Sequence, residues 1–484
     1  MKLKEFAVDL SPKFEAFQYQ SDAFNASKDH EYFGIFHEQG LGKTKIAIDL
    51  ALHWIEESIC DSVIFVTKKN LVDNWNNEIR SHTSIYPIVF EAQKKENTSK
   101  FYSYGKLYIC HYDLVKNDIE NFESFCSFRK VGMILDESVA IKNPESVSAK
   151  SFHRLTSLLT RRVIMTGTPV DNRPYDIWSQ IYFLDGGESL GTNFNAFKKK
   201  YDLDKELSQS AIKQEIFERD LLALKESIKG FTLRETKDSC KIELPNKEYQ
   251  NIEVYFDDEQ RNLYEKVRSE IAIELVQEGQ NVVEYLDAIV VRLLRLIQVS
   301  ANPRGYDESY NGDSPKVSAT KKLINEIPKS EKIIIWTHFK KSAELLEDEI
   351  EDSLALHGGK STEERNKLIA RFKNHPNSRI LIATYGTAKE GLTLTVANHA
   401  IYFERNFSLA DYLQSQDRIH RISQTRISYV YNLIVKNSIE EWIEALVDAK
   451  HMAAGFVQGD ISEEDYKDKI NYNFNKMLNE ILEN

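Results

Sequence analysis

Apolar residues along the chain gather into short, dense runs, each closed by polar residues or glycine. The main ones span 61–67 (DSVIFVT), 106–112 (KLYICHY), 130–137 (KVGMILDE), 161–168 (RRVIMTGT), 331–339 (EKIIIWTHF), 378–386 (SRILIATYG), 397–404 (ANHAIYFE) and 428–435 (SYVYNLIV). They are apolar on both faces, the pattern of strands buried in a parallel sheet. Segments of helical period lie between them, such as KKSAELLEDEIED (340–352) and TEERNKLIARFKNH (362–375). Strands alternating with helices predict α/β units on a parallel sheet. The pattern occurs twice, once up to about Leu184 and again from about Lys332 to Val435. From 187 to 300 charge rises, strands thin out, and stretches such as DEQRNLYEKVRSEIAIELVQEG (258–279) predict exposed helices. Pro, Gly, Asn and Asp crowd 300–316, the best linker candidate. The expected division is therefore a first lobe over 1–186, helical insertions and a connector over 187–300, a linker at 301–316, a second lobe over 317–452 and a helical tail over 453–484.

Composition narrows the class without changing this picture. A chain of 484 residues suggests roughly two to four domains. Hydrophobic residues at 42% and charged residues at 29% argue against a disordered or membrane protein. No window reaches the ~18 apolar residues of a membrane span, and the first residues lack the apolar core of a secretory signal. A cytoplasmic protein, neither secreted nor membrane-bound, is expected. Cys60, Cys110, Cys126 and Cys240 are far apart, without zinc spacing, and are expected to be reduced thiols. The net charge of −12 does not advertise a nucleic-acid binder. It does not exclude one either, because phosphate contact depends on local patches.

The chemistry begins at FGIFHEQGLGKTKIAIDLALHWI (33–55), which predicts a short strand, a glycine loop and a helix starting near Lys43. Gly40 and Gly42 let backbone N–H groups turn inward. The helix N-terminus adds partial positive charge, Lys43 can reach β/γ-phosphate oxygens, and the Thr44 hydroxyl can ligate Mg²⁺. The strict pattern GxxxxGK[ST] has glycine where this chain has His37. A plain glycine turn before a helix is the bland alternative. A second half for such a site stands in VGMILDES (131–138). Asp136 falls at a strand tip, where it could hold Mg²⁺ through water, and Glu137 beside it could orient and deprotonate an attacking water.

With these residues in place, the chain resembles the SNF2 family of superfamily 2 helicase-like ATPases. The resemblance covers nearly the whole length in motif order: FQYQSDAF with Gln20 as adenine reader, VIFVTKKNLVDNWNNEI, LDESVAIKNPES, MTGTPVDNRPYDIWSQIYFL, FTLRETKD, RLLRLIQVSANP, ILIATYGTAKEGLTLTVANHAIYFE and QSQDRIHRISQT. It implies two RecA-like parallel-sheet lobes with helical insertions between them and ATP in the cleft. Gln414, Arg418 and Arg421, spaced i, i+4 and i+7, are expected on one face of a helix, with both arginines presented to the γ-phosphate. Thr166, Gly167 and Thr168 are expected to couple nucleotide state to DNA. Gly391, Thr393 and Thr395 invite similar readings. Lys68, Lys69, Asn70, Trp75, Lys340, Lys341, Thr384 and Lys389 are candidate DNA contacts. Val139 replaces the histidine usual in the acidic box, which bears on coupling rather than on hydrolysis.

The expected function is an ATP-driven, Mg²⁺-dependent translocase on double-stranded DNA, with single-stranded or branched DNA as further tracks. It would act as a monomer in a prokaryotic or virus-infected cell and remodel DNA or protein–DNA complexes. A strand-unwinding or rewinding helicase is the alternative within the class. A non-hydrolysing DNA-binding scaffold is the alternative outside it.

Overall fold

The computed structural model describes residues 9–91, 94–170, 173–201, 211–241, 244–277, 286–312, 314–388, 393–421, 423–458 and 460–461. By internal contacts the chain divides into two compact units. The first holds residues up to Ile242 and a returning segment that begins at Met452; the second spans Glu243–His451.

The first unit is built on a seven-stranded sheet in the order β3-β4-β2-β5-β6-β1-β7. Its strands are β1 (Tyr32–Ile35), β2 (Ser62–Thr67), β3 (Ile88–Val89), β4 (Leu107–His111), β5 (Val131–Asp136), β6 (Arg161–Met165) and β7 (Thr232–Leu233). The second is built on six strands, β8 (Lys247–Val254), β9 (Lys332–Thr337), β10 (Ser353–Leu356), β11 (Ile380–Thr384), β12 (Ala397–Tyr402) and β13 (Ser428–Val435), in the order β10-β11-β9-β12-β13-β8. Every pairing in both sheets is parallel. The fold is thus α/β with two parallel-sheet lobes, as the apolar runs predict.

Continuous apolar runs form the central strands because helices cover both faces. Along β9, Ile333 and Ile335 enter one core while Ile334 and Trp336 enter the other. That alternation is the period of two expected of a strand. In the first sheet Val63, Ile64, Phe65 and Val66 of β2 are all buried.

The region 187–300 holds the helices Phe194–Lys200, Ala211–Ile228, Asp258–Gln277 and Leu286–Ala301. It also supplies an edge strand to each sheet, β7 to the first and β8 to the second. The sequence KEYQNIEV of β8 is largely exposed and charged, which suits an edge and hides the strand from a search for apolar runs. Segment 301–316 carries the short helix Pro303–Tyr306, and Asn302 caps it by accepting the Gly305 N–H at 2.9 Å.

Lys316 and Glu440 form a fully enclosed ion pair in the second unit, 0% and 5% exposed, with Nζ 2.5 Å from Oε1. The other carboxylate oxygen of Glu440 accepts the Val435 N–H at 2.8 Å. Removing one partner strands a buried charge. Glu440→Gln is therefore expected to destabilise the protein by about 3 kcal/mol in urea unfolding, and pairing it with Lys316→Met should restore most of that loss.

Candidate nucleotide site

Strand register builds the site. Ile35 of β1 and Asp136 of β5 both lie level with Met165 of β6, and Val66 of β2 lies level with Leu135. The carboxyl ends of four parallel strands therefore bring Thr67, Asp136, Thr166 and the loop after β1 to one edge. Ligands of open α/β sheets bind at this edge.

The loop reverses direction at Gly40 (φ 90°) and Gly42 (φ 68°), backbone states that favour glycine. A Cβ on Gly42 would push the amide end of Gln20 aside, and its φ would strain any residue with a side chain. Gln20 is buried under the loop, where its Nε2 donates to the Leu41 carbonyl at 3.3 Å and its Oε1 accepts the Phe17 N–H at 3.0 Å. Helix Lys43–Glu56 starts at once, with Gly42 as N-cap and no side chain capping its first N–H groups. Lys43 Nζ reaches back to donate to the carbonyls of His37 (2.8 Å) and Glu38 (3.3 Å). Thr44 sits half-buried on the first turn. His37 is fully buried and its ring is held neutral. Burial first, then the charges of Lys43 and Arg234, take its pKa down to about 3.

Asp136 Oδ2 accepts from the Trp75 indole N–H at 2.8 Å and from the Thr67 hydroxyl at 3.2 Å. Tyr112 donates its hydroxyl to the Asp136 carbonyl at 2.8 Å. Burial and the adjacent Glu137 push the Asp136 carboxyl up to about 6, against the pull of Trp75, Lys43 and Thr67. Glu137 sits in the left-handed region (φ 55°, ψ 54°), a strained state for a residue with a side chain. The Thr166 hydroxyl approaches Glu137 Oε2 at 3.4 Å, and the Thr168 N–H donates to Thr166 Oγ1 at 3.2 Å. Gly167 packs on the loop, since a Cβ there would lie 2.9 Å from Gln39 Cγ. The next helix is tied in by Ser138, which donates to Gln180 at 2.7 Å, and Gln180 in turn donates to the Pro169 carbonyl at 2.8 Å.

Two crowded carboxylates facing one lysine leave negative charge that a divalent cation would neutralise. No cluster of three or more His, Cys, Asp or Glu side chains suited to a metal occurs among the described residues. Mg²⁺ needs only one or two carboxylates, with water and phosphate completing its shell. The hydroxyl of Thr44 and the carboxylate of Asp136 are oxygen donors of the kind such an ion takes.

Several expectations need correction. Helix Leu409–Gln416 ends before Arg418, so Gln414, Arg418 and Arg421 do not share one helical face. The ladder tightens after Gln416, where the N–H groups of Arg418 and Ile419 go three residues back, to Ser415 at 3.2 Å and Gln416 at 3.1 Å. Beyond it the Arg418 carbonyl accepts the Leu394 N–H at 2.8 Å, and Gln424 Nε2 takes up the carbonyls of Ile419 and Ala397, each at 2.9 Å. Arg418 and Gln414 are buried, while Arg421 Nη1 donates to Thr393 Oγ1 at 2.8 Å. Trp75 is no surface contact; it packs on Phe65 and serves Asp136. Thr384 is buried and bonds Thr387 at 2.9 Å, so its hydroxyl is occupied locally. Lys68 precedes the short turn Lys69–Leu71, half-exposed at the end of β2. Thr395 bonds Ser423 at 2.9 Å. Gly391 and Lys389 lie outside the described residues.

Fold and site together define a protein of two parallel-sheet α/β lobes, the first bearing a lysine glycine-loop beside an acid pair. The chain belongs to the SNF2-related family: the SNF2-related domain matches residues 23–304, and the helicase conserved C-terminal domain matches 315–423. Among curated relatives, the uncharacterised ATP-dependent helicase MG018 of Mycoplasma genitalium is 27% identical over 438 residues, 88% of this chain and 40% of that protein. The TATA-binding protein-associated factor MOT1 of Saccharomyces cerevisiae is 25% identical over 533 residues, 94% of this chain and 28% of that protein. The chain thus spans less than half the length of these relatives. A solved Sulfolobus solfataricus SWI2/SNF2 ATPase core in complex with dsDNA aligns over 98% of each chain, with 24% identity and a TM-score of 0.43. No helix among the described residues is long and apolar enough to cross a membrane.

The raised pKa of Asp136 has a stability consequence. Its folded value of about 6 exceeds the ordinary 3.8, so the native state holds the extra proton between these values. Stability then falls as pH rises from about 4 to about 6 and stays reduced above. Asp136→Asn is expected to raise the melting temperature of the metal-free protein at about pH 7.5, with the gain vanishing near about pH 4. Thermal unfolding in EDTA across that range checks it.

Proposed function

We propose that this chain is a DNA-stimulated ATPase that hydrolyses ATP to ADP and phosphate and uses the cycle to translocate on double-stranded DNA. The observation that carries the reading is the Lys43 loop and the Asp136–Glu137 pair at one sheet edge, joined by strand register. Membership of the SNF2-related family and the helicase-type match over 315–423 support DNA as the track.

In this reading the loop N–H groups and the Lys43 ammonium bind the phosphates, and Gln20 lies beside the base. Thr44 and Asp136 would hold Mg²⁺, which when bound offsets phosphate charge during transfer. Trp75 and Thr67 fix Asp136 through one oxygen, leaving the other for that role. Glu137 orients the attacking water and takes its proton, with the Thr166 hydroxyl steadying its carboxylate. Arg418 and Arg421 take, in this reading, the role that the family resemblance gives them, offsetting charge that builds on the departing phosphoryl group. Thr166, Gly167 and Thr168 report that change toward the DNA contacts, for which Lys68 and Thr393 are candidates.

Phosphate release with and without duplex DNA tests the reading. Duplex should stimulate wild-type turnover, and Lys43→Ala should lower it by about 10³-fold or more while sparing DNA binding. Arg421→Ala should cut turnover and leave ATP binding nearly intact. Normal hydrolysis by the lysine variant would remove the phosphate site. Wild-type protein that binds duplex without hydrolysing ATP would instead be a scaffold. Displacement of a triplex strand, with no opening of a fork, is the expected signature of translocation.

A further inference from the structure

The loop is held from outside by a segment that phosphate-site chemistry leaves unused. Strand β7 pairs with β1, and the chain after it keeps running beside the loop. Leu233 accepts the Phe36 N–H and Glu235 accepts the Glu38 N–H, both at 2.8 Å. Lys237, itself buried, bonds Glu38 twice: Nζ lies 3.0 Å from Oε1, and its backbone N–H donates to Oε2 at 2.8 Å. Between these contacts, Arg234 Nη1 donates to two carbonyls, Phe36 at 2.6 Å and Gly167 at 3.1 Å. One guanidinium nitrogen thus joins the strand leading into the loop to the turn after β6.

The other side of the same guanidinium faces Asp460. Nε donates to Oδ1 at 2.9 Å and Nη2 to Oδ2 at 2.6 Å, a two-pronged ion pair. Both side chains are largely shielded, at 16% and 26% exposure. A planar fork meeting a carboxylate in this way is held in orientation as well as in place. A lysine, with three donors on one nitrogen, could not serve both carbonyls and both carboxylate oxygens at once.

We propose that Arg234 is a positioning residue for the phosphate loop, and that Asp460 sets its orientation. Asp460 comes from the segment that returns to the first unit at Met452, after residues 243–451 of the second unit in chain order. The pair therefore makes the geometry of the loop depend on the seating of the C-terminal segment. Release of that segment frees the guanidinium to turn, loosens Phe36 from Gly167 and weakens phosphate binding. The kinetic part of this inference rests on the ATPase reading; the structural part does not.

The test uses the full-length chain with Asp460→Ala, Asp460→Glu and Arg234→Lys, read by amide hydrogen exchange and by ATP kinetics. Asp460→Ala should speed exchange at Phe36 and Glu38 about ten-fold and raise KM for ATP by a similar factor, with kcat within about two-fold of wild type. Asp460→Glu should recover both values, and Arg234→Lys should behave like the alanine variant despite keeping its charge. Unchanged exchange in Asp460→Ala overturns the proposal. So does a general loss of stability and kcat that Asp460→Glu does not repair, which would make the pair a structural tie only. The exchange measurement needs no nucleotide, so it decides the latch even if the wild type proves unable to hydrolyse ATP.

Discussion

Parallel strands must all point one way, and in the first unit that constraint gathers the chemistry. The register of β1, β6, β5 and β2 is fixed by continuous apolar runs buried on both faces. A slip of one residue would exchange the side chains of two differently packed cores and draw the polar residue at the end of each run in among them. Because it cannot slip, the first polar residue after each run arrives at the same edge. Thr67, Asp136 and Thr166 are those residues, and the glycine loop leaves β1 at that same edge. The site is a by-product of core packing in one sheet.

That edge is assembled at a cost in stability. Two adjacent acids are crowded together, one carrying a raised pKa and the other a left-handed backbone. The loop needs two residues that turn through positive φ, and His37 is buried without charge beside Lys43. Such strain persists because the surrounding bonds leave no alternative. Trp75, Thr67 and Tyr112 on Asp136, Thr166 on Glu137, and the β7 segment on the loop are those bonds.

Much of this was legible before the structure. Central strands announce themselves because burial on two faces demands unbroken apolar sequence, and the residues of the loop and acid pair sit at the ends of such runs. Edge strands escaped: β8 is charged and exposed, β10 spans four residues, and β3 and β7 span two each. The helical spacing of 414–421 does not hold because periodicity cannot register the turn bonds after Gln416, nor the bonds from Leu394 and Gln424 that occupy the next carbonyls. Trp75 looked like a surface aromatic in a polar stretch, and only packing on Phe65 reveals its partner. Arg234 and Asp460 stand 226 positions apart, a separation at which a single sequence carries no pairing signal.

The central claim is that phosphate is bound by the turn at Gly40–Thr44. Equilibrium binding of a fluorescent ADP analogue with Mg²⁺ to wild-type and Gly42→Ala protein addresses it most directly, because a Cβ at Gly42 opposes the φ the loop needs and displaces the Gln20 amide beneath it. Wild-type protein should bind the analogue at one site, with affinity at least about ten-fold greater than that of the alanine variant, while both unfold at similar temperatures. Equal affinity in the two proteins would contradict the claim.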